Sequence, residues 1–307
     1  MSEKYIITDY QAKQLADVIR KKTKTNDSMD IFDMINKINY IDMLPRHNDL
    51  KEYSAYELAI VSSDIAKKGK NSSKYNEFHQ YLIDDKKWSV TLKNGNVCDC
   101  RIIGLCHDVD DNGNALGITM QFTTPIDGFV FSAEPFRASG GFDSDYHWEK
   151  TAAYAAMCRT TDVDDGTTGY IRRLIPYELS SSFAGMRKKY FYNHVNQNTW
   201  NSEPTLGTSY CGLALLSMSE LCGNVNHGTG YEEIDKLFNQ QGQQYEYYKL
   251  LGTTINNGRP NIDSWLRSYA PQNGGITYYN PCYTMNSSDF AWGQHGVCPC
   301  FAFKRFY

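Results

Sequence analysis

The chain has 307 residues, of which 41% are hydrophobic and 21% charged, and its formal net charge is −4. This length and composition allow one or two packed domains and argue against long disordered regions. The slightly acidic balance argues against a nucleic-acid partner, which would require a basic face. No segment approaches the roughly 20 apolar residues that span a bilayer, so we expect no membrane insertion.

The first residues lack the basic and apolar regions of a signal peptide, which predicts synthesis in a cytoplasm and release, if any, by lysis. The nine cysteines form an odd set in such a chain, so we expect reduced, buried thiols. Cys98 and Cys100, like Cys298 and Cys300, are separated by one residue, which places each pair on one face of a strand. This spacing is not that of common zinc sites, and we expect neither a structural metal nor a cofactor.

Tyrosine is abundant, with 23 residues against 14 phenylalanines. Tyrosine provides a large contact area at low entropic cost, and its hydroxyl group can bind sugars, so the composition is typical of a recognition surface. An AT-rich genome explains the same composition, and both interpretations stay open.

Residues 1–45 show the periodicity of two short amphipathic helices that end at Pro45. Such helices cannot bury their apolar faces alone, so we interpret them as an attachment or oligomerisation leader. Residues 46–86 are polar and predict a connector, with helical stretches at Tyr53–Lys67 and Lys74–Ile83. Residues 87–307 form the predicted globular domain.

From Trp88 onwards the hydrophobic pattern alternates with period two. Asn94-Gly95 between two alternating runs predicts a hairpin in which both turn residues have positive φ. A second hairpin is predicted from Arg101–His107 to Leu116–Phe122. Helical patterns follow at Tyr146–Cys158 and Tyr177–Tyr190.

Three groups of segments carry a resemblance to bacteriophage proteins. The N-terminal segments Ile7–Lys22 and Ile31–Ile38 resemble the helical leader of minor structural proteins of Firmicute phages. The other two groups are similar to a widespread phage and prophage domain of unknown function that ends in W-L-R-S and G-V-R-P-A-F blocks. These segments are Val90–Val97, Arg101–Asp108, Gly117–Phe122, Leu213–Leu221, Trp265-Leu-Arg-Ser268 and Gly296-Val-Cys-Pro-Cys-Phe301. In the closing block, Cys298 and Cys300 replace the family's usual arginine and alanine.

The same ending resembles C-type-lectin-like domains such as those of formylglycine-generating-enzyme-like proteins. The resemblance implies an α+β fold, in which a helical leader precedes a C-type-lectin-like mixed α/β domain with a ligand face near the C-terminus. It also implies a homotrimer, as in fibre-like phage proteins.

The segment Tyr278–Trp292 lies between the two closing motifs, where lectin-like folds place exposed loops. Its aromatic, amide and hydroxyl groups suit stacking on sugars and hydrogen bonding to them. The candidate ligand-binding residues are Tyr278, Tyr279, Asn280, Tyr283, Asn286, Asp289 and Trp292. An equally open interpretation is that Tyr278, Phe290 and Trp292 only pack the domain. Four motif residues are predicted to be structural, namely Trp265, Arg267, Gly296 and Pro299, with Trp265 in the core and Arg267 fixing a neighbouring loop.

Asp108, Asp110 and Asn112 resemble the beginning of a calcium-binding loop. The twelfth position is Thr119, however, where such loops carry a bidentate glutamate. We therefore favour an acidic hairpin turn without a metal.

His295 beside Cys298 or Cys300 offers a conceivable thiol–imidazole pair. The chain lacks a recognisable nucleophile elbow, phosphate loop or H-E-x-x-H helix, so we expect that it is not an enzyme. The resemblance to phage proteins implies a virion structural protein of fibre, tail or baseplate type, which binds other virion proteins and a host-surface glycan or protein. Two alternatives stay open: a purely architectural component that binds only other virion proteins, and an enzyme that degrades the host envelope.

Overall fold

The computed structural model describes residue 17 and residues 44–126, 128–130, 148–158, 169–194, 203–229, 232–262, 264–269, 281–284, 288–290 and 294–305. The chain divides into two compact units, Met1–Arg46 and His47–Tyr307. The predicted helical leader, residues 1–45, lies almost entirely outside the described residues.

The described helices of the second unit are α1 Ala55–Lys68, α2 Tyr75–Ile83, α3 Ala152–Cys158, α4 Tyr170–Leu174, α5 Tyr177–Ser180, α6 Met218–Cys222, α7 Glu232–Gln240 and α8 Glu246–Leu250. Short 3₁₀ helices lie at Leu50–Glu52, Gly69–Asn71 and Trp148–Lys150. The described strands are β1 Lys87–Thr91, β2 Val97–Leu105, β3 Ile118–Phe122, β4 Gly128–Val130, β5 Met186–His194, β6 Glu203–Cys211, β7 Trp265–Tyr269, β8 Pro281–Thr284, β9 Ser288–Phe290, β10 Gln294–Gly296 and β11 Cys300–Ala302. The unit is thus mixed α and β, as the sequence predicted.

The central layer is a four-stranded sheet in the order β1-β2-β3-β11. Each neighbouring pair in it is antiparallel. Strand β3 lies between β2 and β11, and it is buried at all of its positions. Smaller antiparallel sheets pair β4 with β10, β5 with β6, and β7 with β8 and β9.

Both predicted hairpins are confirmed, since β1 pairs with β2 and β2 with β3. The predicted turn geometry of the first one is wrong. Gly95 has a φ of 86°, whereas Asn94 is not among the described residues with positive φ. Leu92 pairs with Asn96 through the bond from its N–H to the Asn96 carbonyl, so the loop holds three residues. Such a loop needs a left-handed residue only at its last position, and glycine supplies it.

Helices α1 and α2 agree with the two helical stretches predicted within residues 46–86. Helix α1 begins with a capping box formed by Ser54 and Glu57. Both helices bury apolar side chains, including Leu58 and Phe78, and α2 packs against β2. The structure therefore places residues 47–86, which we expected to form a connector, within the compact unit that contains the sheet.

A close contact between α1 and β3 fixes the position of that helix. The backbone N–H of Ile118 donates to the Ser62 hydroxyl over 2.9 Å. A Cβ atom at Gly117 would lie 1.8 Å from the Ser62 carbonyl oxygen. Only glycine allows the two backbones to approach so closely.

The helix predicted at Tyr177–Tyr190 is wrong beyond its first turn. Helix α5 ends at Ser180, and β5 begins at Met186. In β5, Met186, Lys188 and Tyr190 are buried while the alternate positions Arg187 and Lys189 are exposed. That period of two is the pattern of a strand. It is not visible as alternating hydrophobicity because one of the buried positions is a lysine.

Candidate functional site

A cluster of ionised side chains lies in the core of the second unit, centred on Lys188 of β5. The side chain of Lys188 is 1% exposed. Its ammonium group donates to Asp108 Oδ1 over 2.6 Å, to Glu220 Oε1 over 3.1 Å and to the Tyr245 hydroxyl over 2.5 Å. All three protons of the ammonium group are therefore used inside the protein.

Asp108 follows β2, and its second carboxylate oxygen is also occupied. Oδ2 accepts from the Thr119 hydroxyl over 2.6 Å and from the Tyr245 hydroxyl over 2.7 Å. The His107 ring stacks on the Tyr245 ring, with 4.0 Å between the ring centres. The β2–β3 hairpin and the residue before α8 are thus joined at this carboxylate.

Glu220 and Arg267 form the other half of the cluster. Glu220 is the third residue of α6, and its Oε2 accepts from the backbone N–H of Ser217 in a capping box. The same oxygen accepts from Arg267 Nη1 over 2.5 Å. The remaining Arg267 hydrogen bonds go to the backbone carbonyls of Leu215, Lys189 and Gln241. Arg267 is 0% exposed, so its guanidinium group ties α6, β5 and β7 together without contact with water.

The electrostatics of the cluster keep these groups ionised. Burial alone would raise the pKa of Glu220, but the Arg267 guanidinium and the Lys188 ammonium outweigh it and lower that pKa to about 2. Burial would also raise the pKa of Asp108, yet Lys188 holds it below its usual value. For Lys188, burial is outweighed by Asp108 and Glu220, which raise its pKa. The two cations and two anions therefore compensate each other in the core.

The two closing motifs contact each other beside this cluster. Ser264 and Gly296 pair in a parallel bridge, and the Cys298 N–H donates to the Ser264 hydroxyl over 2.8 Å. Trp265 is 1% exposed, and its ring contacts that of His295 edge-on, with 4.5 Å between ring centres. The Pro299 carbonyl accepts from Phe122 in β3. The residues that flank the segment between β7 and β10 therefore lie together in the core.

Most of the predicted ligand-binding residues lie outside the described residues, namely Tyr278, Tyr279, Asn280, Asn286 and Trp292. Tyr283 belongs to β8 and Asp289 to β9, and neighbouring positions of these two strands pair with each other. Their backbones are described, and through β7 they are connected to Trp265. Their role in ligand binding stays a prediction.

The weak calcium candidate does not form a converging set of oxygens. The Asp108 carboxylate faces Lys188, whereas Asp110 accepts from the backbone N–H groups of Asn112 and Asn114 over 2.9 and 2.8 Å. These are the contacts of an acidic turn. Among the described residues, no group of His, Cys, Asp and Glu side chains could hold a metal ion.

The geometry of Cys300 does not suit a nucleophile. Its thiol donates to the Ala214 carbonyl over 3.2 Å, and burial raises its pKa to about 12. The thiol therefore stays protonated at neutral pH. The eight cysteines whose side chains are described are free thiols, and both C-x-C pairs are buried.

Comparison with known proteins found no counterpart: no protein-family model matches the chain, and neither do the curated proteins or the solved structures. The likeness to phage domains thus stays a prediction from the motifs. None of the helices in the described ranges combines the length and the apolar character that crossing a bilayer requires.

Sequence reasoning missed Lys188, Glu220, Thr119 and Tyr245 as members of the cluster. For Glu220 a signal was present, because Ser217-x-x-Glu220 at the start of an apolar run is the pattern of a capping box. For Lys188 no local signal exists, since a lysine in an alternating strand is usually exposed.

Proposed function

We propose that this chain is a bacteriophage virion structural protein of fibre, tail or baseplate type. Its globular unit presents the segment between β7 and β10 to a glycan or protein of the host surface. The proposal combines the motif resemblance with the anchoring of that segment in the core.

The observation that carries the proposal is that the residues on either side of this segment pair with each other in the core. Ser264 and Gly296 are adjacent in space although 32 positions apart in sequence. Arg267, the third residue of β7, is held by the Glu220 carboxylate and by three backbone carbonyls. Recognition proteins commonly place variable binding loops on a rigid scaffold, and this arrangement has that form.

The cluster itself suits a scaffold better than a reaction centre for an external substrate. Its charged groups are at most 5% exposed, and their hydrogen bonds go to one another, to the Thr119 and Tyr245 hydroxyls and to backbone groups. A catalytic acid or base needs a position within hydrogen-bonding reach of the substrate. The cluster would have to open before a substrate could reach it.

Binding of the full-length protein to host cells tests this proposal. We expect saturable sedimentation with the cells, and loss of binding in a Tyr279→Ala/Trp292→Ala variant with unchanged melting behaviour. Tyr56→Ala/Tyr177→Ala is the matched control, because both tyrosines are exposed, by 66% and 73%, and both lie outside the segment. Equal binding by the two variants would contradict recognition through this segment.

One observation favours the purely architectural alternative. Leu250 and Leu251 at the end of α8 are 58% and 53% exposed, which is typical of a contact with another protein. On that alternative, Leu250→Ser/Leu251→Ser removes the chain from purified particles, while cell binding by the free protein is absent from the start.

A further inference from the structure

Asp108, Lys188 and Glu220 form a geometry that also suits a covalent reaction within the chain. The ammonium nitrogen of Lys188 lies 2.6 Å from Asp108 Oδ1, and the three side chains are at most 5% exposed. A primary amine held against a carboxyl group in a water-excluded core has a high effective concentration and lacks competing water. We propose that Lys188 and Asp108 become joined by an intramolecular isopeptide bond.

The first step is a proton transfer. The resting pair is ionised, and one proton passes from Lys188 Nζ to Asp108 Oδ1 along their hydrogen bond. This leaves a neutral amine beside a neutral carboxylic acid, without separating charge in the low-dielectric core. Glu220 stays paired with Arg267 throughout this step.

The second step is the attack of the Nζ lone pair on Asp108 Cγ, which forms the C–N bond. Negative charge then develops on Oδ2, which accepts hydrogen bonds from the Thr119 and Tyr245 hydroxyls at 2.6 and 2.7 Å. Two donors aimed at a developing oxyanion are the arrangement that stabilises tetrahedral intermediates in acyl transfer.

The last step breaks the C–Oδ1 bond. A second proton leaves Nζ for Glu220 Oε1, which lies 3.1 Å from Nζ, and is returned to the Oδ1 hydroxyl group. That group departs as water while the Oδ2 carbonyl reforms. The ion pair thus becomes an amide and one water molecule, and no oxidant, metal or cofactor is required.

The bond would link the end of the β2 strand to β5 across 80 positions of sequence. The cysteines whose side chains are described are free thiols. An amide cross-link, unlike a disulfide, does not depend on the redox state of the surroundings. The inference does not rest on the proposed function, because it concerns only groups within one chain.

The mass of the intact, purified full-length protein tests the inference directly. We expect it to be lower than the sequence mass by one water molecule, about 18 Da. Proteolysis followed by tandem mass spectrometry should yield a branched peptide that joins Asp108 to Lys188, with no tryptic cleavage after Lys188. Lys188→Arg should restore the full mass, whereas Lys189→Arg, at the exposed neighbouring position, should keep the loss.

The wild-type protein alone decides the outcome, so failure of a variant to fold does not matter. A folded wild-type chain that keeps the full sequence mass after prolonged incubation at neutral pH would overturn the inference. A water loss that maps to another site, such as a succinimide at Asp165-Gly166, would overturn it as well.

Discussion

Arg267 shows at the residue scale that a buried charge depends on the hydrogen-bond partners around it. Taking a guanidinium group out of water is costly, and the cost is recovered only if its donors are all used in good geometry. Glu220 and three backbone carbonyls accept from four of its five N–H groups. The cluster therefore fixes how β5, β7 and α6 are arranged more than it adds net stability.

The first prediction concerns this guanidinium group. Arg267→Met should lower the free energy of unfolding by about 3–5 kcal/mol, because it leaves Glu220 with one cation fewer and three carbonyls without a donor. Denaturant titration measures the effect. Arg187→Met is the control: Arg187 is exposed on β5, and its replacement should change stability by less than about 0.5 kcal/mol. Similar losses for both variants would show that burial of the charge is not the cause.

The second prediction concerns acid and applies to the chain in which Lys188 still carries its ammonium group. The pKa of Glu220 is about 2 in the folded chain against 4.5 as its ordinary value, so its contribution is complete above about pH 4.5. It is lost as the pH falls towards 2, and the loss is on the order of 3 kcal/mol. Glu220→Gln should flatten the stability curve between these pH values. Glu178→Gln, at an exposed position on α5, should leave the slope unchanged.

At the scale of elements, one close approach decides how α1 packs on the sheet. Helix α1 meets β3 at Gly117, and a serine hydroxyl of the helix accepts the next backbone N–H. The hydrophobic face of α1 can be read from the sequence, but the strand it meets cannot. That contact depends on residues more than 50 positions apart.

The third prediction tests this approach. Gly117→Ala should destabilise the protein by roughly 3 kcal/mol, because the added methyl group meets the Ser62 backbone and α1 has to move. Gly185→Ala is the matched control, since a Cβ atom there meets nothing within 4 Å. A thermal melt of the two variants is sufficient. If Gly117→Ala and the wild type melt at the same temperature, α1 does not pack on β3 as described.

The elements that were predicted correctly depend on local contacts, whereas the strand that was missed depends on residues far away in the sequence. Hairpins and amphipathic helices are set by neighbours in the chain, so the hairpin at Gly95 and the helical stretch Tyr53–Lys67 were predicted from the sequence. Strand β5 was taken for a helix because Lys188 interrupts its apolar face. A buried lysine is stable only through Asp108 and Glu220, and these partners lie 80 and 32 positions away.

At the scale of the whole molecule, the compact unit that begins at His47 includes more than the predicted domain. The Trp88 indole N–H donates to the Tyr53 carbonyl over 2.7 Å, which fastens the preceding segment to the sheet. The alternation that begins at Trp88 indicated a domain boundary, although it marks only a change from helices to strands. Most of the candidate ligand-binding residues lie outside the described part, so their role still rests on sequence.

The fourth prediction follows from the extent of the unit. A chain comprising residues 47–307 should melt cooperatively, whereas residues 88–307 should not, because the shorter chain loses the helices that cover β2 and β3. Calorimetry distinguishes the two. Equal cooperative melting would show that α1 and α2 are dispensable and that residues 46–86 act as a connector after all.

The most direct test of the account uses phage particles that carry the chain. Particles with the Tyr279→Ala/Trp292→Ala chain should adsorb to host cells about tenfold more slowly, or worse, than wild-type particles, since a few aromatic residues dominate such contacts. Particles with Tyr56→Ala/Tyr177→Ala should adsorb normally, and all three should contain equal amounts of the chain. Equal adsorption by all three would contradict host recognition through the segment between β7 and β10.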